Sequence, residues 1–123
     1  MSIRRTVAVV DDDPSVLNGT QVLLKAHGFT AIGFSSAEDF LGRDPTMQIG
    51  CVLLDINLGG ACGIALRRRL DADSCALPVI FMTASHSDAV RQDALDAGCV
   101  DYLRKPFLAH QLLAALAKAL PAD

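Results

Sequence analysis

Five short apolar runs alternate along the chain with stretches in which apolar side chains recur every three or four positions. Residues 6–10 form the first run, β-branched and continuous, which is the pattern of a strand covered on both faces. Pro14 then suits the first turn of a helix, and Val16, Leu17, Leu23 and Leu24 recur at helical spacing until Gly28 closes it. Residues 29–34 predict a second, weaker strand. Ser35 with Glu38 predicts a capping box for a short helix through Leu41. Residues 51–54 predict the third strand, followed by a helix to about Leu70. Residues 78–82 predict the fourth, with a helix over 87–97 that stops at Gly98. Residues 100–104 predict the fifth, and a last helix over 108–120 turns Leu112, Leu113, Leu116 and Leu120 inward.

Strands that alternate with helices imply right-handed crossovers and a buried parallel sheet. The expected fold is a three-layer α/β domain, flavodoxin-like and doubly wound, with a five-stranded parallel sheet in strand order 2-1-3-4-5 and five helices. A length of 123 residues fits one domain over 1–123. Such a domain buries about two-thirds of its unfolded surface, so no disulfide or structural metal is required.

Composition narrows the function. A net charge of −3 leaves no electrostatic footprint for nucleic acid or an anionic membrane, so neither is expected as a partner. No apolar run approaches the roughly 20 residues of a membrane span, and Arg4 and Arg5 lead into a strand rather than a signal peptide. Cys51, Cys62, Cys75 and Cys99 lack metal-ligand spacing. They are expected to be inert thiols in the reducing cytoplasm, Cys62 near the Asp55 loop included. His27, His86 and His110 lack ligand spacing too, and Arg67, Arg68 and Arg69 are expected on a solvated helix face.

The chemistry collects at one rim. In such a sheet the site lies beyond the strand C-terminal ends, where strand order reverses. The first strand runs into Asp11, Asp12 and Asp13, the third ends on Asp55, the fourth on Thr83 and the fifth on Lys105-Pro106. Clustered carboxylates repel unless a cation joins them, and oxygen-only ligands point to a hard ion, Mg²⁺ or Mn²⁺. A lysine facing a metal-carboxylate site makes sense if an anion enters between them, with the Thr83 hydroxyl as a donor. The predicted chemistry is phosphoryl transfer. Asp13 before Pro14 can instead be only a helix N-cap.

The pieces VAVVDDD, CVLLDINLGGACG (with Gly63 eight residues after Asp55), VIFMTAS and AGCVDYLRKPF stand in this order, each at its strand end. With them the sequence resembles, over essentially its whole length, the receiver domain of two-component response regulators, the CheY-like superfamily. The resemblance implies that Asp55 accepts a phosphoryl group from the phosphohistidine of a sensor histidine kinase or a histidine phosphotransfer protein. It implies Mg²⁺ (or Mn²⁺) held by Asp12 directly, by Asp11 directly or through water, by Asp55, and by the backbone carbonyl of Asn57. Thr83 and Lys105 would hold the phosphoryl oxygens, and Tyr102 would be the aromatic switch residue. The face made by the fourth helix, fifth strand and fifth helix would then bind an output partner or a second copy as a homodimer. Such a domain is a signalling module, catalysing only its own phosphorylation and dephosphorylation.

Two positions bear on the loop and the lifetime. Gly59, followed by Gly60, stands where receivers often carry Pro, so a mobile loop is expected. Asn57 and Ser85 occupy the positions that the resemblance ties to phosphoryl lifetime. No recognisable output domain is read after the last helix, so the expectation is a stand-alone receiver or a segment cut from a longer regulator or hybrid kinase. The AGCVDYLRKPF ending looks most like receivers fused to DNA-binding helix-turn-helix domains. Three rival functions fit parts of the pattern. A haloacid-dehalogenase-type phosphatase would use Asp11 as nucleophile, from Asp11-Asp12-Asp13-Pro14-Ser15, but leaves Asp55 unexplained. A flavodoxin-like FMN carrier shares the fold, but three aspartates repel its phosphate. A degenerate receiver would act only as an interaction module.

Overall fold

A computed structural model describes residues 5–44, 46–58, 61–72 and 77–120. The order of elements is β1 (Thr6–Val10), α1 (Pro14–Ala26), β2 (Thr30–Phe34), α2 (Ala37–Leu41), β3 (Cys51–Asp55), β4 (Asn57–Leu58), β5 (Ala61–Cys62), α3 (Gly63–Ala72), β6 (Val79–Thr83), α4 (Asp88–Ala97), β7 (Asp101–Arg104) and α5 (Ala109–Ala119). Five strands form one parallel sheet in the order β2-β1-β3-β6-β7. The five-stranded sheet read from the sequence is therefore present, its fourth and fifth strands being β6 and β7.

Successive residues of the central strands feed opposite cores, as the period of two requires. Ala8, Val10, Val52, Leu54, Val79 and Phe81 pack with Phe40 of α2, Ile64 and Leu66 of α3, and Ala94 of α4. Val7, Val9, Leu53, Ile80 and Met82 pack on the other face with Leu24 of α1 and Leu112, Ala115 and Leu116 of α5. β1, β3 and β6 are buried at every position, which is why they read as continuous apolar runs.

Helix ends follow local rules. Asp13 caps α1, its carboxylate accepting from the amides of Ser15 and Val16, with Pro14 in the first turn. Beyond the other end Gly28 takes φ +85°, which glycine adopts without steric cost. Arg5 locks that end: it donates to the carbonyls of His27 (3.1 Å) and Gly28 (3.0 Å), and its guanidinium lies 4.4 Å from the Phe29 ring centroid.

Three local expectations need correction. The cap of α2 is Ser36, whose hydroxyl accepts from the Asp39 amide at 3.0 Å, while Ser35 donates to the Asp39 carboxylate instead. The chain between β3 and α3 contains an antiparallel pair, β4 with β5, that the sequence reading lacked. Arg67 is not on a solvated face: α3 lies beside α4, and Arg67 Nε donates to the Gly98 carbonyl at 2.9 Å. Arg68 and Arg69 are exposed as expected. Gly59, Gly60 and Cys75, and the Cys62 side chain, lie outside the described residues. Among the described residues Cys51 and Cys99 are free; burial pushes the Cys51 thiol up to about 12 and raises that of Cys99, so both are poor nucleophiles.

Candidate functional site

The site sits where β1 and β3 diverge, the point at which the chain winds to opposite sides of the sheet. β1 delivers Asp11, which is fully buried. Its amide donates to the Phe34 carbonyl at 3.1 Å, so the parallel pairing runs one residue past the strand and holds the carboxylate in place. Asp11 Oδ1 accepts from the Asp13 amide at 3.0 Å. β3 delivers Asp55, 5% exposed, whose Oδ1 accepts from the Asn57 amide at 3.1 Å. Asp12 is exposed at the rim. One carboxylate oxygen each from Asp11, Asp12 and Asp55 falls within 4.8 Å of the others.

A cation already faces two of them. Lys105 Nζ lies 2.6 Å from Asp11 Oδ2 and 3.1 Å from Asp55 Oδ2. Lys105 follows β7, and its amide donates to the Thr83 carbonyl at 2.7 Å, so β6 and β7 jointly aim the ammonium at the cluster. The Lys105–Pro106 peptide is cis. Thr83 is fully buried at the end of β6, one residue past Met82, the register partner of Asp55; its hydroxyl accepts from the Ser85 amide at 3.0 Å.

Electrostatics follow from this crowding. Burial, opposed by the Lys105 charge and reinforced by the Asp11 charge, pushes the Asp55 carboxyl up to about 6. For Lys105 burial acts downward, but the hydrogen bond to Asp11 and the charges of Asp55 and Asp11 outweigh it and raise the ammonium. The cluster thus sets three carboxylates against one ammonium, an excess of oxygen donors and negative charge that suits Mg²⁺ and offers nothing to a metal preferring nitrogen or sulfur.

The expected residues divide clearly. Asp11, Asp12, Asp55 and Lys105 come together, and Asn57 touches the group through its amide. Asp13 does not join; it is the α1 cap. Tyr102 is not among the grouped carboxylates, and it shares a cleft with Lys105. It is half-buried against the core on the α3–α4 side and lines a cleft of about 500 Å³ with His86, Arg91, Arg104 and Gln111. Gly63, eight residues after Asp55 in the sequence, packs on the backbone of that residue.

A doubly wound sheet with an oxygen-donor cluster and a lysine at its switch point is an α/β domain with a charged site where such sheets bind their ligands. Comparison with known proteins gives the family. Residues 7–117 match the response regulator receiver domain family. The chain is 32% identical over 120 residues to the transcriptional regulatory protein FixJ of Bradyrhizobium diazoefficiens, covering 98% of this chain and 58% of FixJ. It is 36% identical to the transcriptional regulatory protein TdiR of Thauera aromatica, covering 94% of this chain and 51% of TdiR. The crystal structure of FixJ-N superposes with a TM-score of 0.87 at 30% identity, covering 96% of this chain and 97% of that one. The chain therefore belongs to the response regulator receiver domain family. It is a receiver domain of two-component signalling, and it spans about half the length of the curated relatives it matches.

The phosphatase alternative fares poorly on the same geometry. Its second motif aspartate, Asp13, is used by the helix end, and its nucleophile, Asp11, has no exposed surface. Among the described residues, no helix is long and apolar enough to cross a membrane.

Proposed function

We propose that this chain is a single phosphoacceptor domain in which Asp55 takes a phosphoryl group from the phosphohistidine of a sensor histidine kinase or histidine phosphotransfer protein, in the cytoplasm. The supporting observation is the three-way arrangement of Asp55, Asp11 and Lys105, with Lys105 Nζ within 3.1 Å of both carboxylates. Asp11 has no exposed surface and Asp12 lies outermost. Asp55 lies between them, 5% exposed, with its Oδ2 beside a cation that can receive phosphoryl oxygens.

In this reading an Asp55 oxygen attacks phosphorus, an O–P bond forms, the P–N bond to the donor imidazole breaks, and the electron pair stays on the departing nitrogen. The Asn57 amide holds Asp55 Oδ1, which fixes the attacking carboxylate. The Lys105 ammonium neutralises phosphoryl oxygens, and the Thr83 hydroxyl donates to another. Asp11, Asp12, Asp55 and the Asn57 carbonyl would hold Mg²⁺, which when bound neutralises charge on the phosphoryl group. In this role the chain is a signalling module that catalyses only its own phosphorylation and dephosphorylation.

Thr83 links the acceptor to the output face. Its hydroxyl holds Ser85 ahead of α4, and its carbonyl holds Lys105 behind β7. A shift of Thr83 toward a phosphoryl group pulls on both segments, and Tyr102, beside its cleft, has room to move with them. The α4–β7–α5 face is the surface expected to change, toward a second copy or a transcriptional output such as the names of FixJ and TdiR suggest.

The test is labelling by phosphoramidate or a cognate kinase with Mg²⁺. Wild type should incorporate about one phosphoryl group per chain, and Asp55→Asn or chelation should abolish it. Stoichiometric labelling of Asp55→Asn would overturn the assignment, and no labelling of wild type by either donor would favour a degenerate receiver.

A further inference from the structure

Gly63 opens α3 immediately after β5, and its buried backbone lies against the acceptor strand. Its amide donates to the Ile56 carbonyl at 2.7 Å, while the Ile56 amide donates to the Met82 carbonyl at 3.0 Å. Ile56 is thereby held from both sides, by β6 and by the first residue of α3. A Cβ at Gly63 would fall inside the van der Waals limit of the Asp55 carbonyl oxygen, and 3.0 Å from both the Asp55 carbonyl carbon and Ile56 Cα. All three neighbours are backbone atoms, so no side-chain rotation relieves the overlap.

We infer that Gly63 is a positioning residue for the acceptor. Its missing side chain lets the start of α3, which follows the β4–β5 pair, clamp the Asp55–Ile56 peptide, and this clamp sets the Asp55 carboxylate relative to Asp11, Asp12 and Lys105. The requirement is closeness of backbones rather than backbone torsion, since among the described residues the glycines with positive φ are Gly28 and Gly98. Any larger residue must displace β3 from α3. Displacement moves the Asp55 side chain and the Asn57 amide that holds it, so the whole donor set shifts together.

This inference rests on Asp55 being the acceptor, and the experiment separates the two claims. Gly63→Ala is compared with Leu24→Ala, which truncates a fully buried α1 side chain on the opposite face of the sheet and loosens the fold away from the α3 side. Both are assayed for Mg²⁺ affinity and for phosphorylation by phosphoramidate, at a temperature where circular dichroism shows each fully folded. Gly63→Ala should lose about tenfold or more in Mg²⁺ affinity and in rate at saturating Mg²⁺, because a displacement below 1 Å suffices for such losses. Leu24→Ala should match wild type. Wild-type values for Gly63→Ala, or an equal loss in Leu24→Ala, would overturn the positioning role. If Gly63→Ala does not fold, wild type is titrated with Mg²⁺ by NMR. The amides of Gly63 and Ile56 should shift with the same midpoint as the Asp55 carboxyl carbon, and a Gly63 amide that stays still overturns the inference. Absence of label on Asp55 in wild type would count against the acceptor assignment instead.

Discussion

Lys105 Nζ and Asp11 Oδ2 lie 2.6 Å apart, joining the segment after β7 to the segment after β1 across the middle of the sheet edge. The same ammonium reaches Asp55 Oδ2 at 3.1 Å, so one side chain offsets two buried carboxylates. Removing it leaves those charges facing each other in a site with little water. Lys105→Met should therefore lower the stability of the metal-free protein by on the order of 2 kcal/mol, less than a fully isolated buried charge costs because Asp55 can take up a proton. Mg²⁺ should raise the melting temperature of the variant more than that of wild type, since the ion meets carboxylates with no competing ammonium. Phosphorylation should still slow, on the order of 10- to 100-fold, because a phosphoryl-facing cation is gone. Equal Mg²⁺ stabilisation of the two proteins by thermal melting would contradict this account.

The Asp55 carboxyl, raised to about 6 mainly by burial, makes a second prediction. The folded metal-free protein holds this proton more tightly than the unfolded chain, whose carboxyl titrates near 3.8. Its stabilising contribution is complete below about 3.8 and disappears as pH rises through about 6. Against Asp55→Asn, which cannot titrate, wild type should lose on the order of 3 kcal/mol between pH 3.5 and pH 7 without metal. Urea denaturation of both proteins across that range measures it. Saturating Mg²⁺ should flatten the difference at neutral pH, because the ion stabilises the carboxylate form.

The two cores and the five-stranded sheet were legible because β1, β3 and β6 are buried at every position and leave unbroken apolar runs. The rim was legible for the same reason: each run stops on a polar residue, and parallel topology gathers those residues on one edge. What escaped had no periodic signature. Two-residue strands such as β4 and β5 are too short to show alternation. Ser35 and Ser36 are equivalent cap candidates until backbone torsions choose Ser36. Arg67 sits in a run of three arginines, and only the placement of α4 beside α3 gives one of them the Gly98 carbonyl. The closeness of Gly63 to Asp55 depends on where α3 starts against β3, which a spacing of eight residues does not specify.

Gly19 lies inside α1, exposed, with nothing within 4 Å of where a Cβ would stand. Glycine there adds backbone entropy to the unfolded chain and contributes no contact to the fold. Gly19→Ala should stabilise the domain by about 0.5–1 kcal/mol. The position borders an apolar groove of about 420 Å³ that also includes Val16, Leu23 and Phe107 and reaches Lys105. A methyl group at the groove edge leaves the carboxylates untouched, so labelling by a small phosphodonor should be unchanged. Chemical denaturation that shows no gain would mean the helix is strained at this position.

Asp12 and Asp13 are adjacent carboxylates with different work, and their variants should separate. Asp13 Oδ1 accepts from the Ser15 amide at 2.9 Å and the Val16 amide at 3.3 Å, and Asp13 is absent from the group that places its oxygens within 4.8 Å. Asp13→Ala removes the cap and should cost about 1 kcal/mol, while Asp13→Asn, which caps as well, should cost little. Neither removes a donor from the cluster, so Mg²⁺ affinity should stay within a few-fold of wild type. Asp12 is the reverse case. It is exposed at the rim, and its charge is partly uncompensated because the Lys105 ammonium is engaged with Asp11 and Asp55. Asp12→Ala should leave stability within about 0.5 kcal/mol, as surface substitutions do, and should lower Mg²⁺ affinity at least about tenfold. Denaturation midpoints and Mg²⁺ titrations on the three variants decide the matter. If Asp13→Asn weakens Mg²⁺ as much as Asp12→Ala, the ion is held by the acidic run as a whole rather than by the cluster that includes Asp55.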